Sequence, residues 1–292
     1  MLLTVAYESL IDAALVEDVG AGDLTTQATV PQGVLARAVA TARAPLVVCG
    51  GDVFAAVFGR VDSDVQVTVL ARDGTTVQAG APIWQVRGEA RSLLLAERVA
   101  LNFAQRMSGI ATATRAYVDK LPAGCRTRIT DTRKTTPLLR ALERYAVRVG
   151  GGHNHRDNLG SSVLIKDNHI VASGGIGEAI IAARRFAPHT TLAARRFAPH
   201  TTRIEVEVDS LAQFDEAMSA GADIIMLDNF EIDDIHEAVR RSQGRVVLEV
   251  SGGVRLERIE VLARCGVDVI SVGALTHSAP AADIGLDLEL LT

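Results

Sequence analysis

Cysteine is scarce and unpatterned in this chain. Cys49, Cys125 and Cys265 are odd in number, far apart and free of any C-x-x-C spacing, which excludes a disulfide framework and a cysteine metal site and points to reduced thiols. No apolar run approaches the length that spans a bilayer. The opening stretch acquires acids at Glu8 and Asp12 and has no basic start before a long apolar run, so no signal peptide is expected. A cytoplasmic location and no membrane partner follow as expectations. An excess of positive charge is also missing, since 30 Lys and Arg stand against 35 Asp and Glu for a formal net charge of -5, which argues against a nucleic-acid surface. What the chain has is core material: 48% hydrophobic residues over 292 positions, enough for two domains or one barrel with an added module.

The positive charge that is present is concentrated. Residues 131–170 read DTRKTTPLLRALERYAVRVGGGHNHRDNLGSSVLIKDNHI and bring Arg133, Lys134, Arg156 and Lys166 together with His153, His155 and His169. A local cationic cluster in an acidic chain suits a pocket for a small polyanion.

Periodicity divides the chain. Residues 7–16 place Leu10, Ile11, Ala14 and Leu15 on one helical side. Residues 35–48, Val65 with Val67 and Val69, Val77 and residues 83–86 read as strands of a small α/β module with a partly solvated sheet. Residues 92–120 read as a long helical region that Gly109 interrupts, with Arg98 and Arg106 as solvated charges on its polar side. Beyond Gly124, short β-rich runs at 126–130, 163–166, 204–208, 223–227, 246–250 and 268–272 alternate with amphipathic helices such as 211–220, 232–241 and 256–265. That alternation implies a parallel sheet covered by helices.

The C-terminal end of each run carries chemically capable groups: 131–134, Lys166 to Asn168, Glu207 with Asp209, Asp228 with Asn229, Ser251-Gly252-Gly253, and Gly273-Ala274. Six such ends at one mouth match a β/α-barrel active site better than a doubly wound sheet, whose groups gather at one switch point. The strand count stays open.

The individual motifs leave alternatives. Thr136-Pro137 reads as an N-cap and first-turn proline, so DTRKTTP starts a helix and either holds an anion on its amides or merely carries solvated cations. GGGHNHR gives backbone room for a ligand or forms a flexible turn, and its histidines lack the further ligands of a metal site. SGG and VGA, after the last two runs, sit where barrels hold phosphate, with His277 as an added donor. Glu207 and Asp228 suit ribose hydroxyls, a hydrated cation or developing positive charge, or else Glu207 simply pairs with Lys166. The segment AARRFAPHTT occurs twice, at 182–191 and 193–202; the copy is expected in an exposed helix extension or bulge away from the mouth.

Taken in order, EDVGAGDLTT, AERVALNFAQRMSGIAT, DTRKTTPLLRALERYAVRVGGGHNHR, VLIKDNHI, EVEVDSL, GADIIMLDN, LEVSGGV and SVGALTHSA resemble the quinolinate phosphoribosyltransferase family over nearly the whole chain. The resemblance implies an α/β fold made of an N-terminal α/β sandwich, residues 1–115 with 277–292 packing back, and an incomplete β/α-barrel, residues 116–276. It implies phosphoribosyl transfer from phosphoribosyl pyrophosphate to quinolinate with decarboxylation, in a homodimer or assembly of dimers. Quinolinate would be held by Thr132, Arg133, Lys134, His155, Arg156 and Lys166, with Arg98 arriving from the neighbouring subunit. Glu207 and Asp228 would face the ribose and a Mg2+ bound chiefly through substrate, and Ser251, Gly252, Gly253, Gly273, Ala274 and His277 would hold the 5-phosphate. Lys166, Glu207 and Asp228 are the expected catalytic groups. Departures are few: Val149 before the glycines, Ser161-Ser162, and the tandem copy. Rival readings are a related molybdenum-transport-associated family, a barrel lyase using Lys166 in a Schiff base, and a non-catalytic anion binder.

Overall fold

The computed structural model describes residues 4–186 and 203–291. The chain divides into two compact units, Met1–Ala116 with Lys134–Gly152 and Ala274–Thr292, and Tyr117–Arg133 with His153–Gly273. Five strands come first: β1 (Leu35–Ala42), β2 (Leu46–Val47), β3 (Gln66–Val69), β4 (Thr76–Val77) and β5 (Pro82–Glu89). Six follow in the second unit: β6 (Arg128–Thr130), β7 (Val163–Ile165), β8 (Ile204–Val208), β9 (Ile224–Asp228), β10 (Val247–Ser251) and β11 (Val269–Ser271). The last, β12 (Ile284–Leu290), lies in the first unit.

In the first unit an antiparallel sheet runs β12-β1-β5-β3. Along β1 the period of two buries Ala36, Ala38, Ala40 and Ala42 and turns Leu35, Arg37, Val39 and Thr41 to the other face. Trp84 of β5 sits opposite Ala40 and stacks on Phe54 of the helix Gly51–Val61 at 4.7 Å between ring centroids. Both rings are fully buried, and each such side chain stabilises the unit by about 2–3 kcal/mol.

Four expectations from sequence change here. Gly109 does not interrupt the long helix, which runs unbroken from Ala90 to Val118. A Cβ at Gly109 would stand 2.0 Å from the carbonyl oxygen of Pro280, so the glycine permits close backbone approach. Arg106 is no solvated charge: its guanidinium pairs with the buried carboxylate of Glu143 at 2.7 Å and donates to the carbonyl oxygens of Ala279 and Thr276. The helix after DTRKTTP begins at Arg140, not at Pro137, because Leu138 adopts φ 68° in an intervening turn. The Thr136 amide and hydroxyl are both taken by Glu143, so that amide does not serve an anion. The glycines of GGGHNHR likewise serve packing, since Cβ atoms at Gly150 and Gly152 would meet Thr114 within 2.6 and 2.8 Å.

The second unit is a six-stranded all-parallel sheet in the order β6-β11-β10-β9-β8-β7. Strands β7 to β11 are neighbours in chain order, and β6 joins the far side of β11. That is the winding of a barrel, opened between its first two strands; on the free edge of β6 a single bridge pairs Thr130 with His153. One face is apolar and buried, with Ile129, Ile270, Leu248, Val250, Ile225 and Leu227, where the covering helices pack. The alternate positions form the inner face and mix polar residues, Thr130, Ser271, Glu249, Glu205 and, at the ends, Ser251, Asp228 and Glu207, with the apolar Ile224, Met226, Val247 and Val269. Of the tandem segment, Ala182 to Phe186 form the mostly exposed end of the helix Ile176–Phe186; the expectation for the rest of it lies outside the described residues.

Gly59, inside the helix Gly51–Val61, has open space around a built Cβ. Gly59→Ala should therefore raise stability by about 0.5–1 kcal/mol, whereas Gly109→Ala should lower it by about 1–3 kcal/mol through overpacking. Urea denaturation of both variants measures this, and a neutral Gly109→Ala would refute the close approach.

Candidate active site

The strand ends of the second unit carry a mouth cavity of about 300 Å3, lined by Asp167, Glu207, Asp209, Gln213 and Asp228 among others. Glu207 ends the inner face of β8 and its carboxylate takes the Lys166 ammonium, so the pairing weighed from sequence exists. Lys166 is fixed by its own backbone, whose N–H donates to His169 Nδ1 at 2.9 Å before the helix Asp167–Ser173. Asp228 accepts from the Asn229 side-chain amide at 2.9 Å. Asn229 is left-handed at φ 57°, and its Oδ1 lies 2.3 Å from where a Cβ of Gly252 would be. Gly252 and Gly253 have φ of +87° and +56°, so Ser251-Gly252-Gly253 is a glycine-dependent turn packed against the end of β9.

Arg133 and Arg156 are neighbours. Burial, and then the field of Arg133, hold the Arg156 guanidinium below its ordinary pKa, with Glu205 acting in the opposite sense. Arg156 Nη1 donates to the Ser162 carbonyl at 3.1 Å. The Nε atoms of Arg133 and Arg156 are buried and have no hydrogen-bond partner among the described residues. Two like charges side by side, each with a buried unsatisfied donor, form an arrangement that a carboxylate would relieve.

Arg156 lines a second chamber of about 630 Å3 at the N-terminal strand ends, where Arg126, Arg128, Arg203, Val247 and Asp268 lie. His155 faces this chamber. Its Nε2 stands 3.2 Å from Glu205 and 3.5 Å from Glu249, and its Nδ1 accepts the Arg156 N–H at 2.8 Å. Both acids are almost fully buried. Asp131, wholly buried, accepts from the His155 N–H at 2.8 Å and the Asn154 side chain. Ser271 links Thr130 to Glu249 through hydroxyl hydrogen bonds. Burial disfavours the imidazolium, but the hydrogen bonds and charges of Glu205 and Glu249 outweigh it and push His155 up to about 10. Burial likewise raises Glu205. Protonating Nδ1 would cost the ring the hydrogen bond it accepts from the Arg156 N–H, so that amide opposes the pull of the two carboxylates.

The predicted residues of the second unit fall in two groups: Lys166, Glu207 and Asp228 at the mouth, with Ser251, Gly252 and Gly253 packed on the end of β9, and His155 and Arg156 at the inner chamber, with Arg133 in the field of Arg156; Thr132 adjoins Arg133 in the chain and Gly273 follows β11. Arg98 is exposed on the helix Ala90–Val118 of the first unit; Lys134 there gives its carbonyl to the Thr276 hydroxyl, and Ala274 and His277 bound a short helix. Sequence reasoning named Asp131 only as part of a strand end and missed Glu205, Glu249 and Ser271. The signal for the two acids was the period of two in IEVEV and VLEVS, which puts an acid where a barrel interior takes an apolar residue. The ligand atoms of His155, Glu205 and Glu249 lie within 4.8 Å of one another. Oxygen donors suited to a hydrated divalent ion are at the mouth.

Parallel strands wound in barrel order, with acids and a lysine at their C-terminal ends and the cations Arg133 and Arg156 in the same unit, define a β/α-barrel enzyme for an anionic substrate. Profiles described as Quinolinate phosphoribosyl transferase, N-terminal domain and C-terminal domain match residues 23–108 and 110–287. The chain is 46% identical over 289 residues, 97% of each protein, to the nicotinate-nucleotide pyrophosphorylase (carboxylating) of Mycobacterium leprae. It is 38% identical to the human protein of that name, covering 99% of this chain and 93% of that one. The crystal structure of NadC from Streptococcus pyogenes aligns with TM-score 0.92 and 40% identity, over 100% of this chain and 99% of that chain. The chain belongs to the quinolinate phosphoribosyltransferase family.

A histidine whose pKa is raised on folding adds stability that is complete below its unfolded value near 6.5 and is lost as pH rises through about 10. Unfolding midpoints of wild type and His155→Gln should therefore converge between about pH 7 and about pH 11. A difference that stays constant over that range would refute the raised His155 pKa.

Proposed function

We propose that this protein transfers the phosphoribosyl group of phosphoribosyl pyrophosphate to quinolinate, releasing pyrophosphate and CO2 and forming nicotinate mononucleotide for de novo NAD synthesis. The observation that carries this reading is the pair of buried, unpartnered Nε donors on adjacent Arg133 and Arg156, a receptor for a planar dicarboxylate. The pyridine nitrogen lone pair attacks the anomeric carbon as its bond to pyrophosphate breaks. Glu207 and Asp228 stabilise the oxocarbenium-like charge, and the arginines hold the ring in line. The ring nitrogen is then cationic, the bond from C2 to its carboxylate breaks, and the electron pair stays on C2 beside that positive nitrogen until a proton from water replaces the lost CO2. Lys166 orients the diacid, exchanging Glu207 for the incoming carboxylate.

Mg2+ fits the oxygen donors of the mouth, where Glu207 and Asp228 would hold it through water and substrate; when bound it neutralises the leaving pyrophosphate. The family resemblance assigns Thr132 and Lys134 to the substrate wall and Gly273, Ala274 and His277, with Ser251 to Gly253, to the 5-phosphate. It also makes the working unit a homodimer, in which Arg98 completes the partner's site. No helix among the described residues is long and apolar enough to cross a membrane, which is compatible with the cytoplasm as the place of action.

A coupled assay should show equal release of pyrophosphate and CO2 from quinolinate plus phosphoribosyl pyrophosphate, abolished by chelation of Mg2+. Lys166→Ala should lower kcat/KM by about a hundredfold or more; normal turnover by that variant would contradict its role. Mixed after subunit exchange, Arg98→Ala and Lys166→Ala proteins should recover about a quarter of wild-type activity, because half the dimers carry one intact site. No recovery would contradict the shared site.

A further inference from the structure

We propose that Glu205 and Glu249 are positioning residues for the diacid: by holding the His155 imidazole from inside the barrel they fix the 153–156 loop and, through it, the guanidinium of Arg156. The inference rests on the quinolinate reading above and assigns work to two carboxylates that the reaction itself does not use.

Inner-face positions of a β/α-barrel are ordinarily filled by branched apolar side chains. Here the inner face carries Glu249 of β10 and Glu205 of β8, with Met226 of β9 between their strands and Ser271 and Thr130 bonded in series to Glu249, and the two acids are 3% and 2% exposed. Burying two carboxylates costs several kcal/mol each unless partners compensate. The partners are specific: Ser271 donates to Glu249, and His155 Nε2 lies between the acids. The loop is held at its other atoms too, its backbone by Asp131 and its ring Nδ1 by the Arg156 N–H. Rotating the imidazole would break the contacts to both acids and release the Arg156 amide.

Charge points the same way. Arg156 and Arg133 repel each other, and the opposing field that Arg156 feels is that of Glu205. The charged groups facing the ring are Glu205 from β8, Glu249 from β10 and Arg156 from its own loop, while Arg128, Arg203 and Asp268 line the same chamber. The acids thus serve as built-in counter-ions that let two cations stand together before a diacid arrives. A purely structural role would lower stability and leave substrate preference alone; a positioning role separates the two substrates.

The test uses the full-length Glu205→Gln and Glu249→Gln enzymes. Each should raise KM for quinolinate about tenfold, with KM for phosphoribosyl pyrophosphate and kcat within about twofold of wild type. The alkaline limit of kcat/KM for quinolinate should move to lower pH, because the ring loses its proton more readily with one carboxylate gone. If either variant fails to unfold cooperatively, Ser271→Ala, which removes one donor to Glu249, should show the same separation at about two- to fivefold. Folded variants with unchanged quinolinate KM and pH limit, or with both KM values raised together, overturn the inference. Calorimetric binding of quinolinate keeps it distinct from the proposed reaction: a wild type that binds but does not turn over contradicts the reaction alone, folded variants with wild-type affinity contradict the positioning role alone, and a wild type that does not bind contradicts both.

Discussion

Positive charges can be gathered inside a protein only if opposing charge is built in beside them. Without it, desolvation and mutual repulsion expel the cations or strip them of protons. Arg133 and Arg156 stand within each other's field, and the second unit is organised around making that tolerable. Buried Asp131 ties down the backbone of the 154–156 turn, Glu205 lies beneath Arg156, and Glu249 shares the His155 ring with it. The unsatisfied Nε donors on the two arginines mark the point at which the protein's own compensation stops. A dianionic aromatic acid would supply the rest, so affinity and the orientation needed for attack by the ring nitrogen come from one arrangement.

The same logic separates the two ends of the chemistry. Toward the mouth, Lys166 and Glu207 neutralise each other across a partly exposed pair, which costs little to rearrange when substrates enter. Deeper in the barrel, the His155, Glu205 and Glu249 cluster is hidden from water, where a broken contact is expensive. A rearrangeable pair near the surface and a fixed cluster below it suit a site that must exchange bulky anions yet hold one of them in register.

Much of this was legible in the sequence, and the failures share a cause. Alternating strands and helices after Gly124, with capable residues at each strand end, gave the parallel sheet and its mouth because period and turn chemistry are local. The opening between β6 and β7 was not legible, since pairing across the ring depends on curvature that no short stretch encodes. Gly109, Gly150 and Gly152 were misread because a glycine looks the same whether it ends a helix, admits a ligand or lets another backbone approach; only Pro280 and Thr114 decide. Arg106 looked solvated because its partner Glu143 lies far along the chain. Glu205 and Glu249 were visible as acids on the inner face of apolar strands, but motif matching went to the strand ends and passed over the layer beneath.

The most direct test of the account is a crystal structure of the protein with quinolinate bound. The charge argument requires a carboxylate of the diacid within about 3.5 Å of the Nε atoms of both Arg133 and Arg156, with the His155 ring still facing Glu205 and Glu249. Diacid bound elsewhere, or two guanidinium groups turned apart with their Nε donors satisfied by protein acceptors, would contradict it.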